Sequence, residues 1–168
     1  MKNFDDIYQS NYQALYQYVS RVMPNNLHVQ DIVQEAFVKL YLQTGASVEI
    51  EYPKTWLFKV ASNECLNRLS RSHGGQALET IGELSDDVDE NIDRKLATAD
   101  KEQAVHKALD MLKPSDRSLL VLYSEGFSYK EIAEIGQVNF NSVGKTLARA
   151  LEKLEQILKK HGYEMFDE

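Results

Sequence analysis

The chain has 168 residues, of which 43% are hydrophobic, and a formal net charge of −7, with three prolines and one cysteine. This length accommodates one ordinary domain or two small helical domains. A single cysteine excludes a disulfide framework and indicates a reducing compartment. The first residues lack the basic-then-apolar pattern of a leader, and no apolar run approaches the roughly 18 residues of a membrane-spanning helix. We therefore expect a cytoplasmic protein with no direct membrane insertion.

The negative charge is concentrated in the middle of the chain. Residues 1–72 are neutral overall, residues 73–100 carry a net charge of −6, and residues 101–168 carry −1. Neutralisation of phosphates supplies most of the non-specific affinity of proteins for DNA. Neither flank has the excess of positive charge that strong DNA binding requires, so any contact with DNA is expected to need a partner.

Three amphipathic helices are predicted in the first part of the chain. Apolar residues recur at helical spacing over residues 4–22 and again over residues 27–41. A loop is predicted over residues 44–52, and Pro53 suits the first turn of a third helix that extends to about Arg71. Short connections between three such helices predict one small domain.

Two of these helices have distinctive polar faces. The second carries a cluster of acidic and amide groups: Asp31, Gln34 and Glu35. The third carries a polar stripe at helical spacing, followed by two arginines: Lys59, Asn63, Asn67 and Ser70, then Arg68 and Arg71. Such charged faces are often only solvated surfaces, but amides and cations at this spacing also suit contacts with a partner or with nucleic acid.

A flexible linker is predicted from His73 to about Asp100, because the composition is acidic and poor in aromatic residues. At most a weak helix is expected after Asn91. Helical periodicity returns near Val105, and Pro114 marks the start of a further helix. Residues 161–168 form an acidic, partly apolar tail.

Residues 128–158 have the pattern of a helix-turn-helix. Ser128 and Glu131 form a capping box that starts a short helix. Gly136 ends that helix, and Asn139 is suited to cap a second one from about Phe140. The second helix has an apolar face from Val143 to Leu158 and a polar face formed by Asn141, Ser142, Lys145, Thr146 and Arg149. In a helix-turn-helix the second helix enters the major groove of DNA.

Three groups of residues, in chain order, resemble motifs of the bacterial sigma-70 family, in particular its small extracytoplasmic-function (ECF) group. Asp31-Ile-Val-Gln-Glu-Ala-Phe37 is similar to the motif that binds the β′ subunit of RNA polymerase. Thr55-Trp-Leu-Phe-Lys-Val-Ala-Ser-Asn63 is similar to the helix that opens and reads the −10 promoter element. The domain that reads the −35 element is resembled by Leu112 to Arg117, by Gly126 to Ala133, and by the pairs Ser142-Val143 and Arg149-Ala150.

The resemblance implies an all-α protein of two small helical domains joined by a flexible acidic linker. Residues 1–72 would bind polymerase and the −10 element, 73–100 would be the linker, and 101–160 the −35-reading domain, with a tail from 161 to 168. The implied partners are core RNA polymerase (β′ and β subunits), promoter DNA and an anti-sigma factor, and we expect a monomer when free. The implied polymerase contacts are Asp31, Gln34, Glu35 and Phe37.

The resemblance assigns the DNA contacts to the two polar helix faces. The implied contacts are Lys59, Asn63, Asn67, Arg68, Arg71, Asn141, Ser142, Lys145, Thr146 and Arg149. Asn63 would hydrogen-bond a flipped base, since opening a duplex without ATP requires trapping an unstacked base. Aromatic rings nearby are candidates for stacking on bases: Tyr52, Trp56 and Phe58.

The chain departs from the family pattern at two glycines. Gly144 occupies a position where a basic residue is common, and Gly136 lies one place earlier than the usual turn glycine. We therefore expect weak or unusual −35 reading. Two alternatives stay open: a stand-alone helix-turn-helix regulator, and a sigma-like adaptor or decoy that binds polymerase without reading the −35 element.

No catalytic set, metal-ligand spacing or cofactor motif is identifiable, so the sequence predicts a non-enzymatic protein without a cofactor. Cys65 is predicted to be a core thiol. A further hypothesis is that Tyr163, Met165 and Phe166 in the tail dock onto one of the domains and regulate it.

Overall fold

The computed structural model describes residues 3–46, 48–73 and 97–161, which contain seven α-helices, two short 3-10 helices and no strand. The all-helical prediction is therefore confirmed. The predicted weak helix after Asn91 begins outside the described residues. The docking hypothesis for the tail also concerns residues that lie outside them.

A capping side chain and two prolines mark the boundaries of the first three helices. Helix α1 spans Phe4–Val22, and the Asn3 side chain caps it by accepting from the Asp6 amide. A 3-10 turn, Pro24–Asn26, leads to α2, Val29–Gly45. Helix α3 spans Pro53–His73, with the proline in its first turn as predicted.

Four helices follow in the second half. Helix α4 spans Ala97–Met111 and α5 spans Pro114–Ser124. Helix α6, Tyr129–Gly136, begins with the predicted capping box of Ser128 and Glu131. The 3-10 helix Phe140–Ser142 precedes α7, Val143–Lys160.

Two element boundaries differ from the prediction. Helix α4 begins at Ala97, inside the segment predicted as linker, because Ala97-Thr-Ala-Asp-Lys-Glu-Gln-Ala104 contains good helix formers even though its apolar face is narrow. The second helix of the helix-turn-helix opens with a 3-10 turn over Phe140–Ser142. There Asn139 accepts from the Asn141 amide, so the predicted cap is made one turn before the α-helix itself.

In the turn of the helix-turn-helix, one residue adopts the left-handed conformation and the residue before it packs closely against another helix. Gln137, which caps the C-terminal end of α6, has φ 55° and so takes the left-handed conformation that glycine usually supplies. At Gly136 a Cβ atom would lie 2.8 Å from Cδ2 of Leu119, so a larger residue there would force the Leu119 side chain to shift.

One hydrophobic core joins the two halves of the molecule. Residues of α1, α2 and α3 such as Tyr18, Phe37 and Leu57 belong to the same buried cluster as Leu122 and Ile132 of the second half. A second cluster packs α4 against the end of α7: Ala104, Ala108, Leu109, Leu112, Leu154 and Leu158. The helix-turn-helix is therefore docked on the first three helices.

A buried thiol and a buried phenol in this core make the free energy of unfolding depend on pH in a predictable way. Burial raises the pKa of the Cys65 thiol to about 12 and raises the pKa of the Tyr18 hydroxyl well above its ordinary value of 10. Both groups are neutral when protonated, and the unfolded chain releases these protons at lower pH than the folded chain. The stability they contribute is therefore fully present below about pH 9 and is lost as the pH rises.

We expect the free energy of unfolding to fall by about 1.4 kcal/mol per pH unit for each group once its unfolded-state pKa is passed. Urea unfolding between pH 8 and 11 measures this slope. The Cys65→Ala variant is the matched control, because it lacks the thiol contribution but retains that of Tyr18. Equal slopes in the wild type and the variant would contradict the assignment to Cys65.

Candidate partner and nucleic-acid interface

The acidic face of α2, formed by Asp31, Gln34 and Glu35, is open to solvent. The side chain of Asp31 is 73% exposed and that of Glu35 is 44% exposed, while Gln34 is also exposed. The buried residues Ile32, Val33, Ala36, Phe37 and Leu40 fix the opposite side of the helix in the core. This arrangement presents two carboxylates and an amide on a rigid element.

The prediction that Phe37 contacts a partner requires correction. Phe37 is only 2% exposed, and its ring packs against those of Phe4, Tyr8 and Tyr12 with centroid separations of 6.4, 4.6 and 6.2 Å. It lies at the apolar position of the motif, where the helix turns towards the core. Phe37 therefore supports the acidic face from beneath and does not form part of it.

Arg68 connects α3 to the acidic face. Its guanidinium donates to Glu64 at 2.8 Å, to Asp31 at 3.3 Å and to Glu35 at 3.5 Å. The hydrogen bond to Glu64, with the neighbouring carboxylates, raises the pKa of Arg68. The residue was predicted to contact DNA, but here its charge is balanced by three carboxylates. In this arrangement Arg68 faces Asp31 and Glu35.

The polar stripe of α3, formed by Lys59, Asn63, Asn67 and Ser70, lies along one side of the helix. Asn63, Asn67 and Ser70 are exposed, and Lys59 is half-buried. Arg71 is exposed beyond Ser70, near the end of the helix. The predicted DNA contacts of the first domain thus all lie on α3, with Arg68 turned towards α2.

Of the three aromatic residues near this stripe, Tyr52 is the accessible one. Its side chain is 68% exposed immediately before α3, whereas Trp56 is partly buried. Phe58 is completely buried between Tyr18 and Phe127, with centroid distances of 5.2 and 4.8 Å. The interpretation of Phe58 as a base-stacking residue is therefore wrong for this arrangement of the chain.

The second group of predicted DNA contacts lies at the start of α7. Asn141, Ser142, Lys145 and Arg149 are exposed, and Thr146 is half-buried with its hydroxyl donating to the Ser142 carbonyl at 2.8 Å. A Cβ atom on Gly144 would meet Cε2 of Tyr129 at 3.5 Å, an ordinary contact. Space alone therefore does not require glycine there. Lys145 and Arg149 supply the positive charge on this face.

A hydrogen bond that the sequence did not indicate joins the turn of the helix-turn-helix to the polar stripe of α3. The Gln137 side-chain amide, in the turn between α6 and α7, donates to Oδ1 of Asn63 at 2.9 Å.

Arg117 is the last residue of the segment from Leu112 to Arg117, and the sequence assigned it no individual role. It is buried between the two halves. Its side chain donates to backbone carbonyls of α1 and α4, which no sequence pattern reveals.

The part of the chain that the structure describes contains no cluster of His, Cys, Asp and Glu suited to a metal ion. Among the described helices, none combines the length and the apolar character needed to cross a bilayer. What the site does offer is an exposed acidic face, an exposed amide stripe and a helix-turn-helix, all held by one core.

Comparison with known proteins assigns both halves. Residues 7–74 match the family model for sigma-70 region 2, and residues 102–154 match the model for sigma-70, region 4. The RNA polymerase sigma factor YlaC of Bacillus subtilis (strain 168) is 26% identical over 161 residues, covering 94% of this chain and 93% of that protein. The ECF RNA polymerase sigma factor SigW of the same strain is 24% identical, covering 93% and 89%.

A solved structure has the same fold. It is the sigma factor RpoE of Bartonella quintana in complex with the anti-sigma factor NepR, with a TM-score of 0.69 and 24% identity. The match covers 95% of this chain and 98% of that one. The likeness extends through both helical halves.

Proposed function

This chain belongs to the ECF group of the sigma-70 family, whose members are non-catalytic subunits that start transcription with RNA polymerase. We propose that three of its surfaces carry out three separate steps of that function. The acidic face of α2 binds core polymerase, the polar stripe of α3 traps the opened −10 element, and the start of α7 reads the −35 element. The observation that carries this proposal is that the acidic face and the stripe lie on adjacent helices and are coupled by Arg68.

The binding of polymerase is supported by the exposure and rigidity of the acidic face. Carboxylates held by a guanidinium keep one orientation, so a basic partner surface would lose less conformational freedom on binding. Glu64 forms the shortest of the three ion pairs and anchors Arg68 from within α3. Asp31 and Glu35 still retain solvent-exposed oxygens for a partner.

Opening of the −10 element is supported by the position of Asn63. An exposed amide presents both a donor and an acceptor, which a flipped base can satisfy on its Watson–Crick edge. Tyr52, on the same helix's N-terminal side, offers a ring on which a neighbouring base can stack, worth roughly 1–3 kcal/mol. Lys59 and Arg71 supply charges for the backbone phosphates.

Reading of the −35 element is proposed for Asn141, Ser142, Lys145, Thr146 and Arg149. The first residues of a recognition helix are the ones that reach base edges in the major groove. With only two cations on this face, its own affinity for DNA is expected to be low. Attachment to polymerase compensates by holding the helix at the promoter.

Core polymerase (β′ and β subunits) and promoter DNA are the proposed partners, and the cytoplasm is the proposed compartment. An anti-sigma factor is a further proposed partner, since the similar RpoE was solved with one. The stand-alone regulator is disfavoured by the nearly neutral flanks, whereas the thin positive charge around Gly144 keeps the decoy as the second candidate.

The polymerase contact is tested by the double variant Asp31→Ala with Gln34→Ala. We expect its affinity for purified core RNA polymerase to fall roughly tenfold or more, because both groups lie at the centre of the proposed interface. Fluorescence anisotropy of labelled protein measures the dissociation constant. Gln13→Ala, which removes an exposed amide from α1, is the control and should bind as the wild type does. Equal affinity of both variants would refute the role of this face.

A further inference from the structure

An exposed aromatic residue lies at the tip of the recognition helix. Phe140 is 57% exposed and is the first residue of the 3-10 turn that leads into α7. Within the part of the chain that the structure describes, it belongs to neither hydrophobic cluster. Asn141 and Ser142, two of the residues proposed to read the −35 element, follow it directly. Because the first residues of a recognition helix reach base edges, the Phe140 ring is placed to meet them too.

Gly144, one helical turn later, is not explained by the packing of the protein itself. A Cβ atom there would meet Cε2 of Tyr129 at 3.5 Å, an ordinary contact, and would approach no other described part of the chain outside its own stretch of helix within 4 Å. Glycine inside a helix is also less favourable than alanine, because it loses more backbone freedom on folding. No contact within the described fold therefore requires a glycine here. What glycine does provide is open space beside the backbone of α7.

Phe140, Gly144 and Tyr129 together border a small apolar recess. The spacing of four residues puts Phe140 and Gly144 on the same side of the helix. The edge of the Tyr129 ring, a residue that is 44% exposed, lies beside Gly144. Without a Cβ atom at Gly144, an outside group can touch the backbone of the helix directly. The recess therefore suits a group that is small and apolar.

One group in the major groove of DNA matches this recess. Every base edge there presents hydrogen-bond donors or acceptors, whereas thymine adds a methyl group at C5. Phenylalanine is one of the side chains that make apolar contacts with this methyl group. A donor or acceptor placed in the recess would lose water without gaining a partner, which is unfavourable. The recess should therefore select thymine over the other three bases.

We propose that the recess formed by Phe140, Gly144 and Tyr129 takes the 5-methyl group of one thymine in the −35 element. This inference rests on the proposed reading of that element by α7. It also accounts for the departure from the family at Gly144, because a basic side chain at this position would occupy the recess. The apolar contact adds sequence discrimination to a face whose positive charge comes from Lys145 and Arg149.

Replacement of thymine by deoxyuridine tests the contact, because the two bases differ only by the 5-methyl group. The probe is a promoter fragment identified by start-site mapping, in which each thymine of the −35 element, on either strand, is replaced in turn. Competition binding to core RNA polymerase that carries this protein measures the relative affinity. For the wild type, we expect the replacement at one position to lower the affinity about fourfold, the value for one buried methyl group.

Two variants change the recess in different ways. Phe140→Ala removes one wall, so the fragments with thymine and with deoxyuridine at the critical position should bind equally. Gly144→Leu fills the recess, so the affinity for the thymine fragment should fall more than that for the deoxyuridine fragment. Both variants should keep the helical circular dichroism of the wild type, since Phe140 is exposed and a Cβ atom at Gly144 meets no obstacle. Tyr16→Ala, which removes an exposed ring from α1, is the matched control and should keep the preference for thymine.

The outcomes separate this inference from the reading of the −35 element. Equal binding of the thymine and deoxyuridine fragments by the wild type at every position would overturn the recess, and so would a −35 element without an A·T pair. A preference for thymine that Phe140→Ala or Gly144→Leu retains would also overturn it. If binding depends on the −35 sequence but on no thymine methyl group, only the recess is wrong. If the protein directs no start site, or if altering the whole −35 element leaves binding unchanged, the proposed reading by α7 fails together with this inference.

Discussion

Replacement of Arg117 by methionine will lower the free energy of unfolding by about 3–5 kcal/mol, because several buried backbone carbonyls lose a charged donor at about 1–3 kcal/mol each. Arg117 is 4% exposed. Its guanidinium donates to the carbonyls of Leu109 at 2.8 Å and Leu112 at 2.9 Å, and to that of Val22. Methionine fills similar space but donates to none of them.

The size of this effect follows from where those carbonyls lie. Val22 is the last residue of α1, and Leu109 lies in the last turn of α4, so each belongs to a helix end whose carbonyls lack partners within the helix. One side chain thus caps two helices from different halves. Each buried carbonyl left unsatisfied costs about 1–3 kcal/mol. The loss therefore exceeds what the removal of a single surface ion pair would cause.

Urea unfolding followed by circular dichroism measures this change at neutral pH. Arg149→Met is the matched control, because it removes an exposed arginine from α7 and should change stability by no more than about 0.5 kcal/mol. A loss below 1 kcal/mol for Arg117→Met would mean that its carbonyl partners find other donors or water.

Replacement of Asn63 by alanine will reduce transcription from the protein's own promoters about 10- to 100-fold without weakening the binding of core polymerase. The basis is that a well-placed amide contributes roughly 1–3 kcal/mol to base discrimination. Asn63 is exposed, and its described side-chain hydrogen bond is to Gln137. Its removal should therefore leave folding and the acidic face of α2 intact.

Quantitative start-site mapping with equal amounts of polymerase-bound protein measures this loss. Gln137→Gly is the informative control, since it removes the same hydrogen bond from the other side and should retain full transcription. Unchanged transcription with Asn63→Ala would place base capture elsewhere on α3. A loss of polymerase binding would instead indicate damage to the fold.

The sequence predicted the helices well because their signals are local. The spacing of apolar residues placed α1 to α3 and α7, and the capping box of Ser128 and Glu131 placed the start of α6. The amphipathic pattern of α7 also predicted most of its core residues. Leu151 is the exception: it is 40% exposed although it lies at an apolar position, and the second cluster includes Leu154 and Leu158 but not Leu151.

The remaining features depend on contacts between residues distant in the chain. Arg117 lies 95 residues from Val22, and Gln137 lies 74 residues from Asn63. When a side chain donates to a backbone carbonyl, no second side chain in the sequence identifies the acceptor. The composition of the segment 74–96 also does not determine how the two halves pack against each other. Phe37 was assigned to polymerase by the family resemblance, and Phe58 to base stacking because it is an aromatic residue near Asn63. Aromatic residues suit both cores and interfaces. Only the burial of the side chain in the folded structure distinguishes an aromatic residue that packs in the core from one that contacts a partner.

The most direct test of the central claim is run-off transcription on a library of genomic fragments, using purified core RNA polymerase with and without this protein. We predict discrete start sites that appear only when the protein is present and that share two upstream sequence elements. Tight core binding without any protein-dependent start would contradict initiation and favour the decoy. Specific DNA binding by the protein alone, with no affinity for core polymerase, would favour a stand-alone regulator.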